Sequence, residues 1–371
     1  MKDKEGTGKR KGRRVFGALI LAAGAAVALF SGFLGKRSSG GSDTPETSPG
    51  RTIQSEVQVL LEDGTQTAVG LSMDQVPESY QKKADMRGKL ERFSYQTSTY
   101  GLYGREEKKI TKTAVVYLPH GYSSQNRYNI VYLMHGAGGT VARFFGTPES
   151  PRTLKNIVDH MIASEEIEPT IFVSLTYYPE AGMDHEHDWD AEYTKNYEKE
   201  LIQDVLPQVE SHYSTYAKNT DANELKASRW HRAFANFSMG SVTAYYRLCD
   251  SLDYFHTFLG MSGSLYWGPD AAENSTDDFG AAYIMNAVKQ QGLTKDDFFF
   301  YNCVGTQDFA KEVVQHQISD EKKHPDFFTF GESGEVTNTV YQVGDGEKHD
   351  RHATDRYLYN ALPVLSTIMG K

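Results

Sequence analysis

From Gly88 onward, apolar residues alternate between two rhythms. Short β-branched runs occur at Lys112–Leu118, Tyr128–Met134, Thr170–Leu175, Trp230–Phe237, Phe255–Met261, Phe298–Val304 and Thr337–Val343. Lys89–Thr99 reads as a further strand opening the series. Between the later runs lie stretches of helical period: Thr153–Ile167, Asn196–Tyr213, Val242–Leu252, Asp277–Gln291, Ala310–Lys323 and Thr354–Leu365. In the first of these, Leu154, Ile157, Val158, Met161 and Ile162 share one face. Uniformly apolar strands separated by helices predict an α/β fold: a mainly parallel central sheet with helices on both faces. There is no internal repeat, and residues 87–371 read as one domain.

The residues before it divide differently. Residues 1–14 are basic, and 15–34 are uncharged and apolar, about the length that crosses a bilayer core of about 30 Å as a helix. Basic residues before that run orient such a helix with the rest of the chain outside, so a membrane anchor is expected; a signal peptide cleaved near Ala26-Val27-Ala28 is the alternative. Residues 35–86 begin with a Gly/Ser/Pro/Thr linker and continue as an extension with one strand-like run, Val57–Leu61, expected to pack loosely. Either reading of the apolar run places the domain outside the cytoplasm.

Charge follows the same division. Nine Lys/Arg against two Asp/Glu make residues 1–37 +7, leaving −17 for the rest of a chain whose net is −10. A domain that acidic repels phosphate backbones, so nucleic acid is not expected as a partner. The two cysteines, Cys249 and Cys303, sit among apolar neighbours and read as buried fillers rather than a disulfide framework.

The chemistry concentrates in Trp230–Leu248, where a strand runs into Asn236-Phe237-Ser238-Met239-Gly240 and a helix begins at once. A serine in a tight strand–turn–helix junction projects its oxygen above the sheet, as a nucleophile requires. The bland reading is a helix N-cap. Asn236 stands where this motif commonly has Gly; Asn tolerates positive φ, which is the expected reason for it. Two similar stretches offer no following helix: Gly70-Leu71-Ser72-Met73, and Gly260-Met261-Ser262-Gly263-Ser264.

A serine nucleophile needs a base, and the base needs an orienting acid. Asp308 follows the strand ending near Val304, and His349 lies in the loop before the last helix, so both occupy carboxyl ends of later strands. His352 is the rival base, with Asp250 and Asp253 as weaker acids. The backbone N–H groups of Met239 and of Ala137, within Met134-His135-Gly136-Ala137-Gly138-Gly139, are the expected oxyanion donors.

With these segments placed, the chain resembles the Putative esterase family, carbohydrate esterase family one, which includes feruloyl and acetylxylan esterases. The resemblance covers roughly residues 115–365 and rests on YLMHGAGG, LKNIVDHMIASEEIEP, KELIQDVLPQVESHYSTYA, HRAFANFSMGS, GTQD and YLYNALP. It implies an α/β-hydrolase fold, with the family's nucleophile at Ser238, its acid at Asp308 and its histidine at His349. It implies hydrolysis of acyl esters on plant cell-wall polysaccharides, or of related small esters, without metal or organic cofactor. Asp350 stands where an aromatic often follows the histidine.

Tyr177, Trp189, Tyr266 and Trp267 lie on loops at strand ends, where aromatics stack on sugar or phenolic rings; core packing is the competing reading. In Asp184–Asp190 the two histidines are two residues apart, which fits a substrate-side or solvated loop better than a metal site. The rival functions are an acyltransferase of the same fold and a catalytically inactive surface protein that binds carbohydrate. Oligomeric state has no signature in the sequence.

Overall fold

The computed structural model describes residues 50–101, 106–178, 191–272, 278–332 and 334–370. The basic segment, the apolar run, most of the linker, Trp189 and the acidic loop 184–190 therefore lie outside the described residues. No helix among the described residues is long and apolar enough to cross a membrane.

Among the described residues, ten strands form two sheets: β1 Ser55–Leu60, β2 Gln66–Leu71, β3 Lys89–Ser98, β4 Lys109–Leu118, β5 Asn129–Met134, β6 Thr170–Leu175, β7 Arg232–Phe237, β8 Thr257–Met261, β9 Phe299–Gly305 and β10 Thr339–Gly344. Strands β1 and β2 make an antiparallel hairpin. The other eight form one sheet in the order β10-β9-β8-β7-β5-β6-β4-β3. It is parallel from β10 to β6, and β4 runs antiparallel to both its neighbours. Consecutive side chains point to opposite faces of a strand. On β5, Ile130, Tyr132 and Met134 enter one core, while Val131 and Leu133 enter the other. The first core packs against α3 Leu206–His212, α5 Met239–Asp250 and α6 Phe279–Gln290; the second packs against α1 Thr153–Ala163 and α8 Arg351–Met369. Two further short helices, α2 Ala191–Asn196 and α4 Ala222–Ala227, and the longer α7 Lys311–Glu321 complete the α-helices of the described residues. With both faces covered, the strands can be apolar throughout, as the sequence pattern predicts.

Two segments depart from expectation. The single helix expected over Asn196–Tyr213 is instead α2, a π-helical turn at Glu200–Val205, and α3. Pro207 has no N–H for the regular i→i−4 bond, and within the π-helical turn Glu200 is buried and paired with buried Lys112 at 2.7 Å. The extension expected to be loose is packed: Val57, Val59, Val69, Leu71, Met73 and Tyr80 are buried in the second core. Each such valine or leucine is worth about 1.5–3 kcal/mol. Polar clamps add to this, since Ser72 Oγ and Asp74 N both donate to Asn360 Oδ1 on α8, at 2.8 and 2.9 Å. Cys249 and Cys303 are unpaired, with Cys303 fully buried as expected of a filler and Cys249 partly so.

Candidate active site

Ser238 lies between β7 and α5, at the centre of the sheet. Its backbone is at φ 59°, ψ −119°, a region non-glycine residues avoid, and it occupies the N-cap position without making a side-chain cap. The N-cap reading therefore fails. The strain is held by its surroundings. Ser238 N donates to Met261 O at 2.7 Å. A Cβ on Gly136 would lie 2.8 Å from Ser238 Cβ, and one on Gly240 only 2.4 Å from Met134 O, so both positions exclude any side chain. The positive φ belongs to Ser238, not Asn236, which corrects the reason expected for the asparagine. Asn236 sits inside β7 opposite Met134, and its Oδ1 accepts the Met134 N–H at 2.6 Å.

The freed Ser238 hydroxyl meets His349 Nε2 at 2.8 Å, and His349 Nδ1 meets Asp308 Oδ1 at 2.8 Å. His349 comes from the β10–α8 loop and Asp308 from the end of β9, so three residues distant in the chain converge at the carboxyl edge of the sheet. With the carboxylate on Nδ1, that nitrogen carries the proton, and Nε2 is left to accept from the hydroxyl. Burial alone would raise the Asp308 pKa; the hydrogen bonds from His349 and from Ala310 N (2.7 Å) outweigh it and hold the carboxyl below its ordinary value. The rivals are committed elsewhere. His352 is exposed and hydrogen-bonded to Glu347 at 2.9 Å; Asp250 pairs with Arg247, and Asp253 with Lys226. Asp350 caps α8 by accepting from Ala353 N at 3.0 Å.

Beside the hydroxyl, the loop 135–139 leaves β5 against a buried histidine. Burial pushes the His135 pKa down to about 4, so the ring is neutral. Its Nδ1 donates to Gly136 O at 2.6 Å, and its Nε2 accepts from the Thr176 hydroxyl at 2.8 Å. Tyr178 OH accepts from Gly138 N at 3.0 Å. Gly136 is thereby fixed against Ser238, with the exposed Ala137 next to it. Met239 is the first residue of α5, a position whose N–H has no intrahelical acceptor and sits at the positive end of the helix dipole.

The expected substrate aromatics separate. Tyr177 is buried, its hydroxyl hydrogen-bonded to Thr243 Oγ1 at 2.6 Å, so it belongs to the core. Tyr266 is tied to α7, donating to Asp320 and stacking on His316 at 4.1 Å. Trp267 alone of the described three approaches the triad, edge-on to His349 at 6.3 Å. Sequence reasoning missed Phe309, directly after Asp308, whose ring lies 4.1 Å from His349 and 5.8 Å from Trp267. It also missed Arg143, which lies 4.6 Å over the Phe237 ring and donates to Asp350 O at 3.2 Å. A large apolar residue beside the acid at a strand end was the available signal for Phe309. Among the described residues no group of His, Cys, Asp and Glu could hold a metal ion.

The model of the Putative esterase family matches residues 109–356, two thirds of the chain. The chain belongs to this esterase family. It is 33% identical over 289 residues to endo-1,4-beta-xylanase Y of Acetivibrio thermocellus, covering 78% of this chain and 24% of that protein. The chain thus spans about a quarter of the length of that curated relative. Among solved structures, the feruloyl esterase module from Clostridium thermocellum complexed with sinapinate is similar at a TM-score of 0.68, with 29% identity, covering 87% of this chain and 98% of the other. A structure designated FAE is similar at 0.67, with 31% identity and coverage of 80% and 95%. These likenesses carry the α/β esterase fold with its mainly parallel central sheet.

Proposed function

We propose that this protein is a serine carboxylic-ester hydrolase acting on feruloyl or related acyl esters of plant cell-wall polysaccharides. The observation that carries the reading is the unbroken hydrogen-bonded chain Ser238–His349–Asp308 at a strained strand–helix turn. Similarity to a feruloyl esterase module supports the substrate class.

In the first step Ser238 Oγ attacks the ester carbonyl while its proton passes to His349 Nε2. Asp308 keeps the ring oriented and stabilises the imidazolium. The N–H groups of Met239 and Ala137 take the developing oxyanion. His349 then protonates the departing alcohol, leaving an acyl-enzyme on Ser238. In the second step His349 takes a proton from water, whose oxygen attacks the acyl carbon; the acid leaves and Ser238 regains its proton. Trp267 and Phe309, flanking His349, hold the planar phenolic acyl group.

The test is a hydrolysis panel of aryl acetate, methyl ferulate and acetylated xylan, comparing the parent with Ser238→Ala. The parent should turn over methyl ferulate, with kcat in the variant lower by at least about 10⁴-fold. Equal rates would end the reading. We also hold residues 15–34 to be a membrane anchor that keeps the esterase domain outside the cytoplasm. The full chain should then pellet with membranes and resist alkaline extraction, whereas a soluble full chain contradicts the anchor.

A further inference from the structure

The stretch Gly260-Met261-Ser262-Gly263-Ser264 imitates a nucleophile turn in sequence, and it shares one property with the true one. Ser262 has φ +60°, beside +59° at Ser238, and these are two of only four non-glycine residues with positive φ among the described residues. Ser262, however, is fully buried. Its turn touches both ends of the triad. Met261 O accepts the Ser238 N–H, and Gly263 O accepts the Ser241 hydroxyl at 2.9 Å. Ser262 N donates to Cys303 O at 2.8 Å, fixing the turn to β9, the strand that delivers Asp308.

Asp308 Oδ1 is occupied by His349 and Ala310 N, but Oδ2 is buried with no partner of regular geometry. The same holds for Ser262 Oγ and Tyr357 OH. Hydrogen bonding from Ser262 is among the influences that lower the pKa of the Asp308 carboxyl and of the Tyr357 phenol, so the three buried, unpartnered oxygens are neighbours. A buried carboxylate oxygen without a donor is costly, and a hydroxyl that can turn onto it removes the cost.

We propose that Ser262 is a positioning residue of the acyl-transfer centre, its hydroxyl donating to Asp308 Oδ2 while accepting from Tyr357 OH. Tyr357 thus donates to Ser262, Ser262 and His349 to Asp308, and Ser238 to His349. The inference rests on the triad reading above.

The experiment measures kcat and KM on an aryl acetate for Ser262→Ala, Ser262→Gly, Tyr357→Phe, Asp308→Asn and the double variant Ser262→Ala/Asp308→Asn. Losing a hydrogen bond to a charged group should lower kcat on the order of tenfold in Ser262→Ala, with KM within about twofold. Ser262→Gly should lose as much, although it relieves the backbone, and Tyr357→Phe should lose less. In the Asp308→Asn background Ser262→Ala should change kcat by less than about twofold, because the group it positions is already disabled. A full repeat of the loss there would mean a general structural role and overturn the proposal. So would parental kcat in both single variants, Ser262→Ala and Ser262→Gly, if the single variant Asp308→Asn loses activity. Should one serine variant not fold, the other and Tyr357→Phe decide in the same way. Parental kcat in Asp308→Asn would instead defeat the triad reading itself.

Discussion

The ring of Phe309 lies 4.1 Å from that of His349 at an interplanar angle of 36°, yet Phe309 remains 70% exposed. A large apolar side chain left in water beside a candidate general base is poorly explained by stability, since it buries little. It is well explained by a ring awaiting a planar partner.

Replacing Phe309 with Ala should therefore raise KM for methyl ferulate by about 3–10-fold, the worth of one aromatic pair. The effect on an aryl acetate whose acyl group has no ring should be below about twofold, and the melting temperature should hardly move. Kinetics on both esters check this; equal losses on the two would show that Phe309 supports His349 rather than the acyl group.

Asn236 makes a different prediction. Its side chain satisfies the buried Met134 N–H across two neighbouring strands. Asn236→Ala leaves that donor unpaired and should destabilise the fold by about 1–3 kcal/mol, read by denaturant unfolding. A neutral result would mean that another acceptor replaces it.

His135 supplies a pH signature. Its folded pKa is about 4 against an ordinary 6.5, so between these values the unfolded chain binds a proton that the folded chain does not. Its contribution to stability is complete above about pH 6.5 and falls as the pH drops toward 4, by roughly 3 kcal/mol in all. Asp355 and Glu321 are buried acids whose pKa values rise to about 7 and about 8, and they act in the opposite sense, losing stability as pH rises. The measurement is thus the difference in unfolding free energy between the parent and His135→Gln. The parent's advantage should shrink from pH 7 to pH 4; a constant difference would contradict a neutral His135.

The alternation of strands and helices was readable because both faces of the sheet are covered, which leaves long unmixed apolar runs. Ser238 was readable because a tight strand–helix junction demands small residues at fixed offsets, and Asp308 and His349 because strand ends fix where loops emerge. What could not be read depended on partners far away in the chain. Asn236 bonds to a residue 102 positions earlier, and the N-terminal hairpin gains its burial and its clamps partly from α8. The π-helical turn carries Glu200, whose partner Lys112 lies far away on β4, and loop aromatics cannot be sorted until their neighbours are known. Tyr177 fell inward and Phe309 outward for that reason.

The central claim is that Ser238, His349 and Asp308 act as one acyl-transfer unit. Fluorophosphonate labelling followed by peptide mass mapping tests it most directly in the parent, Ser238→Ala and His349→Ala. A single adduct on Ser238 of the parent is expected, none on Ser238→Ala, and labelling at least about a thousandfold slower in His349→Ala. An adduct on another residue, or unchanged labelling of Ser238 without the imidazole, would contradict it.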